Sequence, residues 1–242
     1  MTTRKAIIIG SPGGYRNLKF LPGVSIDLEN YNNYLQSKPG GQWDVNEIKI
    51  LLDPTSEDVN KEITTAKQDY IFINFSGHGF TDIASEAQYI CLKDKDVPVG
   101  KLVSSATKQT IVIDSCREYS THLAENLRLE LILEAKLFVD KKDTRTIFDS
   151  AIIKSPEGII LVNSASLNQS AGDDEYKGGH FTYSFIKGGR DFGKNQNTQS
   201  VLELDKAVIL AENIMHRVFI TNQTPVMSGQ IRRLTFPPFA VC

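Results

Sequence analysis

The strongest constraint on this chain is a recurring unit. A short, β-branched apolar run is followed by a longer segment whose apolar residues fall at helical spacing. "KAIIIG" (Lys5–Gly10), "EIKILLD", "YIFINF", "TIVID" and "GIILVNSAS" (Gly158–Ser166) read as buried strands. "QIRRLTF" reads as a last strand. Between them, "VSIDLENYNNYLQ" (Val24–Gln36) places Ile26, Leu28, Tyr31, Tyr34 and Leu35 along one helical face and stops at "KPGG". "PTSEDVNKEITTA" starts with Thr55 and Asp58 at capping-box spacing. "VLELDKAVILAENIMHRVF" has the pattern of a late amphipathic helix. Strands that alternate with helices need crossover connections, which implies a mostly parallel sheet flanked by helices, an α/β fold.

The chain has 242 residues, 40% hydrophobic and 23% charged, ordinary values for one large α/β domain. The whole chain is read as a single domain. A polar, mostly helical stretch runs from Thr121 to Ser155, and "VDKKDTRTIFDSAIIKSPEG" (Val139–Gly158) within it reads as an exposed internal loop. A net charge of −2 supplies no general attraction to nucleic acid or to an anionic membrane. Three cysteines without a C-x-x-C make neither a disulfide framework nor a structural zinc site. No segment has the apolar length of a membrane span or the form of a signal peptide, so a cytoplasmic protein is expected.

Two strand ends carry chemistry. "YIFINFSGHGF" ends on a glycine-flanked histidine, His78, and "TIVIDSCREY" delivers Cys116 directly to a strand terminus. In an open parallel sheet, functional groups gather beyond the carboxyl ends of the strands. Adjacent strands lie about 4.8 Å apart, which puts an imidazole and a thiol on neighbouring strands within working range. The imidazole would raise the thiolate fraction, and peptide N–H groups beside His78 and at Cys116 could stabilise an oxyanion. Taken singly, such a histidine can be a turn residue and such a cysteine a small buried hydrophobe. Together they predict a Cys–His hydrolase.

These motifs resemble those of the caspase–metacaspase superfamily of cysteine proteases. "FSGHGF" is similar to the histidine motif and "IDSCRE" to the cysteine motif. Their order matches, and so, approximately, does the spacing of about 50 residues. "LPGVSIDLENYNNYL" resembles the first-helix region, and "ILVNSASLNQSAGDDEYKGGHFTYSFI" the fifth strand, substrate loop and following helix. "QTPVMSG" resembles a metacaspase-like C-terminal stretch. The resemblance implies a three-layer caspase-like fold with a central, mostly parallel six-stranded sheet. A large-subunit-like part would span about 1–140, a linker about 139–157 and a small-subunit-like part about 158–242. His78 would be the general base, Cys116 the nucleophile, and Gly77 and Cys116 the oxyanion donors.

Where caspases carry glutamine two residues before the cysteine, this chain has Asp114, as metacaspases do. The resemblance therefore implies that Asp27, Ser76 and Asp114 form a pocket for arginine or lysine. A carboxylate about 4 Å from a guanidinium gains roughly 4 kcal/mol at an effective dielectric of 20, before desolvation is subtracted. The alternative is that Asp114 caps a turn or orients His78. The end of the fifth strand, Asn163 to Ser166, would pair with the substrate backbone, with Ser164 as the candidate contact, or else be a simple terminus.

Lys141, Lys142, Arg145 and Lys154 would offer self-cleavage sites in the linker. The implied partners are protein substrates with Arg or Lys at the cleavage site and a regulatory protein, and the implied setting is bacterial cell death or antiviral defence. No cofactor or metal is expected. "LKDKDVP" and "AGDDEY" invite calcium activation, as in some metacaspases, but lack EF-hand spacing. His180 is expected at the surface. The rival readings are a catalytically silent interaction module and a caspase-fold protease without basic specificity.

Overall fold

The computed structural model describes residues 2–13, 15, 17–119, 143–194, 200–229 and 235–242. Its centre is a six-stranded sheet in the order β12-β8-β7-β3-β1-β2. The members are β1 (Arg4–Ser11), β2 (Ile48–Leu52), β3 (Tyr70–Gly77), β7 (Lys108–Asp114), β8 (Gly158–Asn163) and β12 (Val226–Gly229). The pairs β2–β1, β1–β3, β3–β7 and β7–β8 are parallel, and β12 runs antiparallel along β8. A small antiparallel sheet is made by β4 (Gly79–Thr81), β5 (Gln88–Cys91) and β6 (Asp96–Pro98). Two short antiparallel ladders join β9 (Asp173–Asp174) to β10 (Gly178–Gly179) and β11 (Val201–Glu203) to β13 (Pro238–Val241).

Alternation along the strands assigns the two faces. Ala6, Ile8, Phe72 and Val112 face a core filled by α1 (Gly23–Gln36), α3 (Thr144–Lys154), α4 (His180–Lys194) and α5 (Leu204–Phe219). Ile7, Ile9, Ile73, Phe75, Ile111 and Ile113 face the other, where Val59 and Ile63 of α2 (Ser56–Thr65) and Ile90 of β5 pack. Three layers result, as the sequence predicts.

Several expectations change. Residues 144–154, read as exposed linker, are helix α3, with Phe148, Asp149 and Ile152 buried. What holds this helix is Arg4, a buried guanidinium 3.0 Å from Asp149 and 4.5 Å over the Trp43 ring. Arg145 pairs with Glu47 at 2.6 Å, a further tie. Linker charges thus include the partners of a buried cation, which composition cannot distinguish from solvated charge. The late helix begins at Leu204, because Val201–Glu203 pairs with β13 instead. The last strand of the main sheet is Val226–Gly229, just before "QIRRLTF". Of that segment, 230–234 lie outside the described residues, while Thr235 and Phe236 are not in a strand.

The capping box at α2 is present: the Thr55 side chain accepts from the Asp58 N–H at 3.2 Å, and the Asp58 carboxylate accepts from the Thr55 N–H at 3.0 Å. Replacing Thr55 by Ala should lower unfolding stability by about 1 kcal/mol in a urea titration, leaving the sheet intact.

Candidate active site

Register places the two reactive groups. Ser76 of β3 lies opposite Asp114 of β7 in the parallel ladder. His78 and Cys116 are each the second residue beyond that pair, so both leave the sheet at its carboxyl edge. They line one cavity of about 70 Å³, shared with Ser76, Gly77, Asp114 and the wall segment Ala171–Asp173. Gly77 is required there: with φ at 154°, its Cα lies so close to β1 that a Cβ would come 2.4 Å from the Ser11 carbonyl oxygen.

The His78 Nε2 is 2.6 Å from the carbonyl oxygen of Lys19. A carbonyl can only accept, so Nε2 carries the proton and a neutral ring keeps Nδ1 free as a base. Burial lowers the His78 pKa, and the Lys19 bond partly offsets this. The Cys116 Sγ accepts from the Ala171 N–H at 3.3 Å. Burial pushes its thiol up; the Ala171 N–H opposes this, while Glu118 and Asp114 add to it. Burial therefore disfavours the charged form of both groups. Among the described residues the one acceptor given for the Cys116 N–H is its own sulfur, so no backbone carbonyl competes with an oxyanion for it.

Asp27 and Asp114 are both buried. Asp114 accepts from the N–H and hydroxyl of Thr182, at 3.0 and 2.7 Å, in the first turn of α4. Asp27, on α1, accepts from the Ser76 hydroxyl and from the Gly179 N–H, the latter at 2.9 Å. Burial raises the pKa of each carboxyl, and Asp114 raises that of Asp27 further. Two close, desolvated carboxyls do not both ionise readily, so burial and proximity favour the neutral form in this pair.

The structure thus brings together His78, Cys116, Gly77, Ser76 and Asp114 around one cavity. Asp27 stands behind Ser76, outside the lining. Ser164, wholly buried just after β8, is also outside it, and its carbonyl accepts from Gln223 at 2.9 Å. Lys141 and Lys142 lie outside the described residues, whereas Arg145 and Lys154 lie on α3. His180 is not a surface residue. It stacks on Phe219 at 3.9 Å between ring centroids, and burial takes its pKa down to about 4.

Lys19, Ala171, Asp173 and Thr182 take part without being expected in these roles. Lys19 and Ala171 act through backbone atoms, which leave no side-chain signature. Thr182 follows "GGH", a helix start that could have marked it. In the two acidic clusters considered for calcium, Asp94 accepts from the Ser56 N–H at 2.7 Å and Asp174 from the Tyr176 and Lys177 N–H groups at 2.9 Å. Among the described residues no group of three or more His, Cys, Asp or Glu side chains is placed to hold a metal ion. Nor, among them, is any helix long and apolar enough to cross a membrane.

A thiol and an imidazole at adjacent strand ends of a covered, mostly parallel six-stranded sheet define a caspase-like arrangement. The chain belongs to the caspase domain family, whose family model matches residues 3–236. This is a family of cysteine peptidases that act on protein substrates. The crystal structure of Caspase-1 from Spodoptera frugiperda superposes with a TM-score of 0.63 and 13% identity, over 98% of this chain and 90% of that one. At that identity the likeness is one of fold. Comparison with curated proteins gives no match.

Because the Cys116 thiol is held up by burial, its alkylation by iodoacetamide, followed site by site with mass spectrometry, should keep accelerating above the ordinary thiol region near about pH 8.5. A rate plateau already reached at about pH 7 would mean a preformed thiolate–imidazolium pair instead.

Proposed function

We propose that this protein is a cysteine endopeptidase with a His78–Cys116 dyad, cleaving proteins after arginine or lysine. The observation that carries it is the single cavity on which His78, Cys116 and Asp114 converge. The Cys116 thiol gives its proton to Nδ1 of His78, whose other nitrogen is held by the Lys19 carbonyl. Sulfur attacks the scissile carbonyl, and the oxyanion takes hydrogen bonds from the Cys116 N–H and from the backbone N–H of Gly77. The imidazolium then protonates the departing amine, and water, deprotonated by the same ring, hydrolyses the thioester.

Basic specificity is supported by the cavity's charge. Asp114 and Asp173 line it, Asp27 stands behind, and no lysine or arginine side chain is among the lining residues described. Ser76 and Asp27 would assist Asp114, with the Ser164 side chain beside it. A volume of about 70 Å³ is well short of the roughly 300 Å³ at which small-molecule pockets begin. An arginine side chain therefore enters only if the wall gives way. Self-cleavage fits the same specificity on the N-terminal side of α3, toward Lys141 and Lys142. At Arg145 it would first require unwinding α3 and breaking the ion pair with Glu47.

Fluorogenic peptides ending in Arg, Lys, Asp or Leu test the reading. Cys116→Ala should abolish hydrolysis. Asp114→Asn should lower kcat/KM for the Arg peptide by about a hundredfold or more, the loss of one charge-assisted contact. Preference for Asp would overturn basic specificity. Failure of an arginyl chloromethyl ketone to label Cys116 would indicate a silent module.

A further inference from the structure

Asp173 lines the same cavity as the dyad, on the wall segment whose neighbour Ala171 covers the Cys116 sulfur. Of the three carboxylates at the site it is the least committed. Asp27 and Asp114 each accept bonds of 3.0 Å or shorter, whereas among the described residues Asp173 accepts one, from the Gly23 N–H at 3.4 Å. Glycine admits it there, since a Cβ on Gly23 would fall 2.1 Å from Asp173 Oδ1. The first turn of α1 begins at that point, with Pro22 as its N-cap and no side-chain cap of its own.

We propose that Asp173 is a third anionic contact for the basic side chain of the substrate and that it sets the acid limit of substrate capture. This rests on the basic-specificity reading of the same cleft. In the empty cleft Asp173 faces Asp114 from β7, Asp27 from α1, Lys19 from the preceding loop and its own neighbour Asp174. Burial is the main reason that its pKa rises to about 6, with Asp114 and Asp174 adding to it and the Gly23 N–H and Lys19 opposing. Below about pH 6 the carboxyl is neutral and offers a cation little. Above it, the carboxylate is desolvated and weakly bonded, so an entering guanidinium or ammonium gains an ion pair at the cost of one long hydrogen bond.

His78 and Cys116 also titrate, so the test uses a ratio in which their ionisation cancels. Labelling rates at Cys116 are measured for lysyl chloromethyl ketone and for its uncharged isostere, norleucyl chloromethyl ketone, from pH 5 to 8. In the wild type the lysyl-to-norleucyl ratio should be high at pH 7.5 and fall steeply below about pH 6. Asp173→Asn keeps an acceptor for the Gly23 N–H but loses the charge. It should lower the ratio at pH 7.5 about tenfold or more and remove the part of its fall that lies near pH 6, leaving only the dependence that Asp27 and Asp114 impose. Asp173→Glu should restore part of both. An unchanged melting temperature in Asp173→Asn separates loss of the contact from loss of the α1 cap. A wild-type ratio near one would refute basic specificity itself. A high wild-type ratio that Asp173→Asn leaves unchanged in size and pH dependence would overturn the role of Asp173 alone.

Discussion

Everything at the cleft follows from the parallel pairing of β3 with β7. Opposing Ser76 and Asp114 fixes where both strands stop, and the reactive side chains occupy equivalent places beyond them. A slip of one residue would move His78 about 3.3 Å along the sheet relative to Cys116 and break the shared cavity. The same slip would turn each strand's side chains to the wrong face. Ile73 and Phe75 pack with Ile111 and Ile113 on one face, and Phe72 with Val112 on the other, so slippage would also bring mismatched surfaces together. The core therefore fixes how His78 and Cys116 sit at the sheet edge without any contact between those two residues themselves.

Around that register the molecule carries a cost. Asp27 and Asp114 are desolvated, and each would be more comfortable in water. Their environment is built to hold them nonetheless: Ser76 and the Gly179 N–H serve Asp27, while Thr182 at the N-terminus of α4 serves Asp114. Donors at a helix start suit a carboxylate, because the unpaired N–H groups and the helix dipole both favour negative charge. What the pair lacks is a cation. On the basic-specificity reading the substrate would supply it, and its charge would favour the ionised forms of both carboxyls.

Much of this was legible in the sequence. The buried strands showed as β-branched runs, the α2 cap as Thr55 and Asp58, and the two residues that meet at the cavity as strand-terminal His78 and Cys116. What escaped reading was of two kinds. Long-range partners were invisible: nothing in "KKDTRTIFDS" says that Asp149 will neutralise a buried Arg4 from the chain's first strand. Short strands such as Gly79–Thr81 and Val201–Glu203 were missed because pairing, not periodicity, defines so few residues. At the site, side chains announced themselves and backbone did not. Lys19 matters through its carbonyl and Ala171 through its N–H; any residue type could supply the first, and any but proline the second.

The cleft's wall is closed, but it is held by bonds that a bound peptide could replace. Its segment is tied down by the Ala171 N–H on the Cys116 sulfur, by backbone bonds between Arg117 and both Asn168 and Gln169, by Ser170 on Glu118, and by the Gly172 N–H on Gln223. These are polar bonds at a partly exposed surface, each worth about 0.5–1.5 kcal/mol net once water can replace it. No large apolar side chain anchors the segment, so displacing it uncovers little hydrophobic area. Four of these five tethers involve Cys116 or the two residues after it. The segment that carries Cys116 therefore also holds the wall shut, and an extended peptide backbone offers the same kinds of donor and acceptor in exchange. On the proposed reading, entry of a peptide would be a substitution of hydrogen bonds, with the gain in charge pairing left over to favour the open form.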